Sequence, residues 1–309
     1  MNSTTALWFL AWLYESTDVT GDHASKILSA VTSIFLNKGV IFTRSPTLQA
    51  LVKGFRALRF KPKRIRKPWS LYHNILFRRH VLDPNDLDSM ASATAIIALG
   101  WGGLMRPGEI GMASGGHLLT RGQVQFISDS RGRVTTAIIT LYKSKTNKGR
   151  RPDKIYISCL CQQRFCGHQV VCPAHILSRY VRIRDRFFPK TKTPRAPLLL
   201  RSNGRCVSYR DIGRWIRLAI QVFNETTQFR LEPLHYAGHS LRLGGCTDRA
   251  RNGDAGHMIE TLGRWSSLTW KKVYIDLDWQ DIILLSGKSA RQLQKMAINP
   301  FTVTASRGH

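Results

Sequence analysis

The sequence predicts a mostly α-helical chain with one small antiparallel β-sheet, an α+β class, divided into a small helical domain and a larger mixed domain. Residues 6–60 repeat apolar side chains at helical spacing, and residues 123–157 change to the alternation that is typical of strands. A chain of 309 residues is long enough for two domains. A basic, proline-containing stretch separates the two patterns, so we expect domains over residues 1–67 and 68–309.

Charge and hydropathy restrict the classes of function. The chain has 47 Lys and Arg but only 19 Asp and Glu, a formal net charge of +28. This excess indicates a polyanionic partner rather than a small-molecule substrate, and the scarcity of carboxylates argues against a two-metal nuclease. No run of eighteen apolar residues exists, and the apolar residues 6–14 lack the flanks of a signal peptide. We therefore expect a soluble, intracellular protein that binds no membrane.

Three helices are predicted in the N-terminal region, over residues 6–15, 23–37 and 47–60. The third is preceded by Ser45 and Pro46, a serine that can cap the helix and a proline suited to its first position. These helices are expected to form the small domain.

Eight basic residues and no acidic residue lie between positions 53 and 67. Prolines at positions 62 and 68 disfavour helix in the residues before them, so the run is predicted to end as an extended linker. We interpret the run either as a solvated helix face or as a surface that follows DNA phosphates, and the net charge favours DNA. In a eukaryotic cell it would also suit a nuclear localisation signal. The predicted DNA-binding residues are Lys53, Arg56, Arg59, Lys61, Lys63, Arg64, Arg66 and Lys67.

Helices over residues 70–79 and 86–99 are predicted to lead into a glycine-rich corner at Arg106. Glycine lets a backbone approach a ligand closely, so Arg106 is a candidate phosphate ligand. The alternative is that Arg106 only pairs with Glu109.

Three antiparallel strands are predicted over residues 123–127, 133–142 and 154–158, where β-branched and apolar residues alternate with polar ones. The last turn of this sheet carries Lys143 and Lys145. On composition alone both lysines are expected to be solvated.

Four of the six cysteines lie between positions 159 and 172. This spacing favours reduced thiols or a metal site over a disulfide framework. A structural zinc site would take Cys161, Cys166, His168 and Cys172, although the spacing matches no named finger. The alternative is that Cys172 simply precedes the proline that begins a helix.

The predicted helices in the rest of the chain cover residues 176–188, 208–224 and 279–297. The first presents Arg179, Arg182, Arg184 and Arg186 either to phosphates or to solvent. The last has no obvious internal partner, and one interpretation is that it packs against its own core.

The residues with the most distinctive chemistry lie between positions 236 and 276. His239 and Arg242 are three residues apart in a segment predicted to be helical, so they should share one face. Trp265 follows Arg242 by 23 residues and Tyr274 follows Trp265 by nine. These residues suit phosphoryl transfer without metal ligands, because Arg neutralises phosphate oxygens, His moves a proton and Tyr attacks.

The sequences GHSLRLGG, LGRWSS and KKVYI resemble, in order and spacing, the C-terminal signature of the tyrosine recombinases, or phage-integrase family. The resemblance extends over residues 90–285 and includes the Gly-Leu-x-Arg-x-x-Glu context of Arg106. It implies a tyrosine-recombinase catalytic domain and a helical core-binding domain that clamps DNA. The implied catalytic residues are Arg106, Lys145, His239, Arg242, Trp265 and Tyr274, with Lys143 as the second choice for the lysine.

By the same resemblance, Tyr274 forms a 3′-phosphotyrosine with double-stranded DNA, and neither ATP nor a catalytic metal is required. The resemblance also implies a homotetramer on DNA, with a monomer when free, and a terminal helix that contacts the neighbouring subunit. It leaves open whether the setting is a phage, an integron or a eukaryotic mobile element. A type IB topoisomerase-like enzyme and a non-catalytic, domesticated DNA-binding protein are the alternatives. The implied location is the nucleus in a eukaryote and the cytoplasm or nucleoid otherwise.

Overall fold

The computed structural model describes residues 3–40, 45–59, 66–112, 118–142, 151–161, 171–191 and 193–265. The chain divides into two compact units, Met1–Ile65 and Arg66–His309. In the described residues, the α-helices are α1 (Ser3–Ser16), α2 (Gly21–Asn37), α3 (Pro46–Leu58), α4 (Leu71–His80), α5 (Leu87–Ala93), α6 (Pro107–Ile110), α7 (Pro173–Phe187), α8 (Tyr209–Thr226), α9 (Gly238–Asn252) and α10 (Gly256–Gly263). Short 3₁₀ turns occur at Arg121–Gln123, Pro189–Thr191 and Pro233–His235.

The first unit contains α1, α2 and α3, as the sequence predicted. The Ser45 hydroxyl accepts from the Leu48 amide at 3.2 Å, and Pro46 is the first helical residue, so α3 begins where the serine–proline signal lies. Leu10, Leu28 and Phe55 are buried, one from each helix, in a shared apolar core.

The second unit contains a three-stranded antiparallel sheet in the order β1 (Val124–Ser128), β2 (Val134–Leu141), β3 (Asp153–Ser158). Ala137, Ile139 and Leu141 alternate towards the core along β2, as the period of two in the sequence requires. The prediction of a mostly helical α+β chain with one small antiparallel sheet is therefore confirmed.

A fully buried helical segment lies at the centre of the second unit. The predicted helix that begins near residue 86 forms α5 and then continues with π-type hydrogen bonding through Thr94–Gly102, three residues beyond its predicted end. All residues of Thr94–Gly102 are buried, and α7 and α9 both pack against them. A helix buried on all sides has no polar face, so its sequence gives little periodicity from which to read its end.

Two further differences concern the C-terminal third of the chain. α10 was not predicted, and the predicted helix over residues 279–297 lies outside the described residues. No helix in the described ranges is both long and apolar enough to cross a lipid bilayer.

Candidate functional site

The corner that carries Arg106 directly follows the buried π-helical segment. Leu104 has φ of 48°, a left-handed conformation that is uncommon for a residue with a side chain. Arg106 then caps α6 at its N-terminus, and Pro107 fills the first helical position. The sequence therefore turns sharply here and places the Arg106 side chain at the start of a short, well-defined helix.

Glycines bring α9 against its neighbours. A Cβ at Gly244 would lie 1.9 Å from the carbonyl oxygen of Trp69, and one at Gly245 would lie 2.3 Å from that of Trp101. The Trp69 amide also donates to the Ser240 carbonyl at 2.9 Å. The glycine pair in GHSLRLGG is therefore required by close backbone packing, and this packing fixes where α9 presents its side chains.

Arg242 lies at the centre of the site and is 0% exposed. Its Nη1 donates to the Leu104 carbonyl at 2.6 Å, and its Nη2 donates to the Gly263 carbonyl. The indole ring of Trp265 covers the guanidinium, with its centroid 4.3 Å from Cζ, a cation–π contact. Arg242 therefore joins the Arg106 corner to the end of α10.

Glu109 makes the second connection between the same two segments. It is 5% exposed and pairs with Arg106 at 2.9 Å and with Arg264 at 2.8 Å. It also accepts from the Arg106 backbone amide at 2.8 Å. The predicted Arg106–Glu109 pair is thus present, and the carboxylate holds two guanidinium groups in place.

Sequence reasoning missed Arg264, which directly precedes Trp265. Arg264 ends α10 in a left-handed conformation with φ of 56°. This conformation turns the chain at the end of the helix, where arginine is unexpected because glycine is the usual residue. The only signal in the sequence is an arginine at a helix end beside a predicted site residue.

The electrostatics of Glu109 reflect burial and two cations. Burial by itself raises the pKa of the Glu109 carboxyl, but the charge and hydrogen bond of Arg264, together with Arg106, hold the pKa below its usual value. Glu109 is therefore ionised at neutral pH. Arg106 and Arg264 outnumber the single Glu109 carboxylate, so this pair of ion pairs has a net positive charge, and the Arg242 guanidinium beside it adds to that charge.

His239 and Arg242, the two predicted site residues on α9, differ in burial. His239 lies in the first turn and is exposed, whereas Arg242, one turn later, is enclosed by Leu104 and Gly263. Of the six predicted catalytic residues, the structure brings Arg106, Arg242 and Trp265 into one region and places His239 on the same helix as Arg242. Lys145 and Tyr274, and the second-choice Lys143, lie outside the described residues.

The predicted DNA-binding residues have different surroundings. Lys53 is exposed, and Arg56 is exposed but pairs with Asp22 at 3.3 Å. Arg59 donates to the carbonyls of Tyr14 and Thr17 and stacks on the Tyr14 ring, so it stabilises the end of α1. Arg66 and Lys67 are exposed, whereas Lys61, Lys63 and Arg64 lie outside the described residues.

The arginines of α7 do not form one surface. Arg184 is 0% exposed and donates to the carbonyls of Thr191, Pro197 and Leu198, so it has an internal structural role. The other three line a common cleft: Arg179, Arg182 and Arg186.

The structure also brings metal-ligating side chains together. Cys159, Cys161, Cys172 and His175 place their potential ligand atoms within 4.8 Å of one another. Two of the four predicted zinc ligands, Cys161 and Cys172, belong to this cluster. The other two, Cys166 and His168, lie outside the described residues.

Known structures resemble most of the chain, whereas comparison with family models and curated sequences finds no match. A dimer of lambda integrase bound to a COC′ core site matches 89% of this chain and 80% of its own, with a TM-score of 0.50 and 15% identity. The XerH site-specific recombinase, in a post-cleavage complex with a palindromic difH substrate, matches 96% and 70%, with a TM-score of 0.56 and 11% identity. No family model and no curated protein sequence matches significantly. The resemblance inferred from the sequence is therefore confirmed in three dimensions, and the chain has the tyrosine-recombinase fold.

Proposed function

We propose that this chain is a site-specific DNA recombinase or integrase that cuts and rejoins double-stranded DNA through a covalent phosphotyrosine. The observation that supports this most directly is the pairing of Arg106 and Arg264 with one buried carboxylate, beside Arg242, which donates to the Leu104 and Gly263 carbonyls next to them. A buried, net positive cluster suits a phosphodiester whose negative charge increases in the transition state. The net charge of +28 supports a DNA substrate on the scale of the whole chain.

In the proposed reaction the Tyr274 phenol oxygen attacks phosphorus and the bond from phosphorus to the 5′ oxygen breaks. The phenol proton goes to His239, and Lys145 gives a proton to the departing 5′ oxygen. Because the 3′-phosphotyrosine keeps the energy of the broken bond, a 5′ hydroxyl can later reverse the reaction without ATP. Arg106 and Arg242 stabilise the additional negative charge on phosphorus-bound oxygens.

Glu109 has a positioning role in this proposal. It bonds both the backbone amide and the guanidinium of Arg106, which leaves the Arg106 side chain 17% exposed at a fixed place. Holding a charged donor in place before the reaction avoids the cost of reorganising it during the reaction. The same carboxylate lowers the net positive charge of the site, so it fixes the position of Arg106 but weakens the attraction of the site for a phosphate.

The enclosure of Arg242 adds a required step. Arg242 is fully buried and the Trp265 ring covers one face of its guanidinium, so a phosphate reaches Arg242 only when the groups around it move. We propose that DNA binding displaces Trp265, whose indole N–H then donates to a phosphate oxygen. On DNA we propose a homotetramer, since two duplexes each require two cleavages, and an intracellular location where DNA is present.

The test is covalent trapping on a nicked suicide DNA substrate. Wild-type protein should form an adduct, and Tyr274→Phe should bind the DNA with unchanged affinity but form none. Tyr209→Phe, which alters an exposed tyrosine on α8, is the matched control and should form the adduct normally. A persistent adduct in Tyr274→Phe would overturn the proposed nucleophile.

Arginine variants separate catalysis from folding. Arg242 and Arg184 are both fully buried and both donate to backbone carbonyls, so replacing either by alanine should lower stability. Only Arg242→Ala should also lower the rate of adduct formation, by about a hundredfold or more. Equal rates in the two variants, measured where both are folded, would contradict the role of Arg242.

The lysine is tested with a substrate that has sulfur in place of the bridging 5′ oxygen. Sulfur leaves without protonation, so this substrate should restore cleavage to Lys145→Ala but not to Tyr274→Phe. Rescue of Lys143→Ala alone would move the general acid to the other lysine.

A further inference from the structure

We infer that Cys159, Cys161, Cys172 and His175 form a structural zinc site at the base of the β2–β3 hairpin. The four residues come from two places in the chain. Cys159 and Cys161 follow directly after β3, whereas Cys172 and His175 lie at the start of α7. The spacing is Cys-x-Cys, ten residues, then Cys-x-x-His.

Three distances between the ligand atoms are close to those of a tetrahedral zinc site, and all four ligand atoms lie within 4.8 Å of one another. Bonds of about 2.3 Å from zinc to sulfur and 2.0–2.1 Å to nitrogen place two sulfurs about 3.8 Å apart and sulfur about 3.6 Å from nitrogen. The Sγ atoms of Cys159 and Cys172 are 3.7 Å apart. His175 Nδ1 lies 3.5 Å from the Cys161 sulfur and 3.9 Å from the Cys159 sulfur.

The orientation of His175 is also that of a metal ligand. Its Nε2 lies 3.0 Å from the Val134 carbonyl oxygen, which can only accept, so Nε2 carries the hydrogen. The other nitrogen, Nδ1, therefore carries the lone pair, and it lies 3.5 Å from the Cys161 sulfur, whereas the Cys159 sulfur lies 3.9 Å from Nδ1 and 3.8 Å from Nε2. A ligating histidine typically donates its second N–H to a backbone carbonyl in this way.

The cysteines are placed for sulfur chemistry rather than for helix capping. Cys172 occupies the N-cap of α7, where Ser, Thr, Asp or Asn is preferred, and its side chain makes no capping hydrogen bond. Its sulfur instead accepts from the Leu160 amide at 3.4 Å, and the Cys159 sulfur accepts from the Cys161 amide at 3.3 Å. Backbone N–H groups therefore hold both sulfurs in place beside His175.

Three cysteines and one histidine complete a tetrahedron, so no position is open for water or substrate and the site is structural rather than catalytic. The metal would join β3, α7 and, through His175, the start of β2. The opposite end of the β2–β3 hairpin leads to Lys145. A zinc ion at the base would therefore fix the two strands between which, in sequence, the proposed general acid lies.

The first measurement is the metal content of the full chain purified with reductant and without chelator. We expect about one zinc ion per chain. The zinc should remain in the presence of reductant, which distinguishes it from a Cys159–Cys172 disulfide. Protein that is folded, contains no zinc and takes up none when zinc is added would overturn the assignment.

Variants then identify the ligands. Cys159→Ser and His175→Gln should reduce bound zinc to near zero, whereas Cys206→Ser, outside the cluster, should retain it. Cys166→Ser and His168→Gln test the set predicted from sequence and should also retain zinc. Loss of zinc in these last two variants, with retention in the first two, would transfer the site to the sequence-predicted ligands.

Cobalt provides a measurement that does not depend on a variant folding. Wild-type protein stripped with a chelator and titrated with Co²⁺ should show tetrahedral d–d bands and sulfur-to-cobalt charge transfer with the intensity of three thiolates. Two-thiolate intensity, or an octahedral spectrum, would contradict the ligand set. Since none of these readouts requires DNA cleavage, their failure would leave the proposed recombinase function untouched.

Discussion

Neutralising Glu109 by the substitution Glu109→Gln should strongly destabilise the second unit, although the substitution hardly changes the shape of the side chain. Glu109→Gln keeps the shape of the side chain but removes the negative charge between Arg106 and Arg264, which are 17% and 9% exposed. Removing one partner of a buried ion pair costs about 3–5 kcal/mol, because the other charge remains buried. Gln still offers one acceptor oxygen, and Arg106 keeps some access to solvent, so we expect the lower end, about 3 kcal/mol.

The assay is thermal unfolding of the full chain followed by circular dichroism. For a unit of about 150–250 residues each kcal/mol shifts Tm by about 2–4 °C, so Glu109→Gln should lower it by about 6–12 °C. Glu260→Gln is the matched control, because Glu260 lies on α10 in the same unit and forms no ion pair within the described ranges. If both variants melt within a degree of the wild type, the buried carboxylate does not stabilise this site.

The effect should also depend on pH in a defined direction. Although burial opposes ionisation, Arg264 and Arg106 hold the Glu109 pKa below its usual value in the folded state. A carboxyl with a lower pKa in the folded state stabilises fully above its unfolded pKa, and this contribution disappears as pH falls through the folded value. The Tm difference between wild type and Glu109→Gln should therefore be constant near neutral pH and shrink below about pH 4.3.

Two further predictions concern DNA binding and packing. Lys53→Ala should reduce the slope of log DNA affinity against log salt concentration by about one. Arg59→Ala should leave this slope unchanged but destabilise the first unit by about 2 kcal/mol, because Arg59 donates to the Tyr14 and Thr17 carbonyls. Equal slopes for Lys53→Ala and wild type would remove Lys53 from the DNA surface. Gly244→Ala should destabilise the second unit by about 1–3 kcal/mol, because the added Cβ would overlap the Trp69 carbonyl. Gly213→Ala on α8 is the control and should be neutral or stabilising, because its Cβ would contact only the end of the Arg217 side chain, at 3.6 Å. Equal unfolding temperatures for the two alanine variants would contradict the packing role of Gly244.

The parts of the fold that depend on local chemistry could be predicted from the sequence. Ser45 and Pro46 determine the start of α3 through one hydrogen bond and one fixed backbone angle, and both effects act within four residues. The strands were predicted because β2 alternates regularly between core and surface. Local rules fail for α10, whose eight residues offer too short a pattern.

The candidate site was predicted only in part because its key contacts join distant segments. The Glu109–Arg264 pair spans 155 positions, and no local pattern in the sequence relates the two residues. The resemblance to a family identified Arg106, Arg242 and Trp265 as a group but could not show that Arg242 would be enclosed. Similarly, Arg59 belongs to a basic run, and only the structure shows that its charge is used at the end of α1.

The enclosure of Arg242 determines what a DNA phosphate must replace. The Leu104 and Gly263 carbonyls accept from different terminal nitrogens, while Trp265 covers the guanidinium face. The ring contact is worth about 0.5–2 kcal/mol, whereas each hydrogen bond to a charged group contributes about 1.5–3 kcal/mol. A phosphate that makes two such bonds while the two carbonyls keep theirs therefore outweighs the ring contact, whereas one that displaced both carbonyls would not. Because Tyr274, the proposed nucleophile, follows Trp265 by only nine residues in the sequence, we expect displacement of the ring to change the position of Tyr274, so that phosphate binding and that position are coupled.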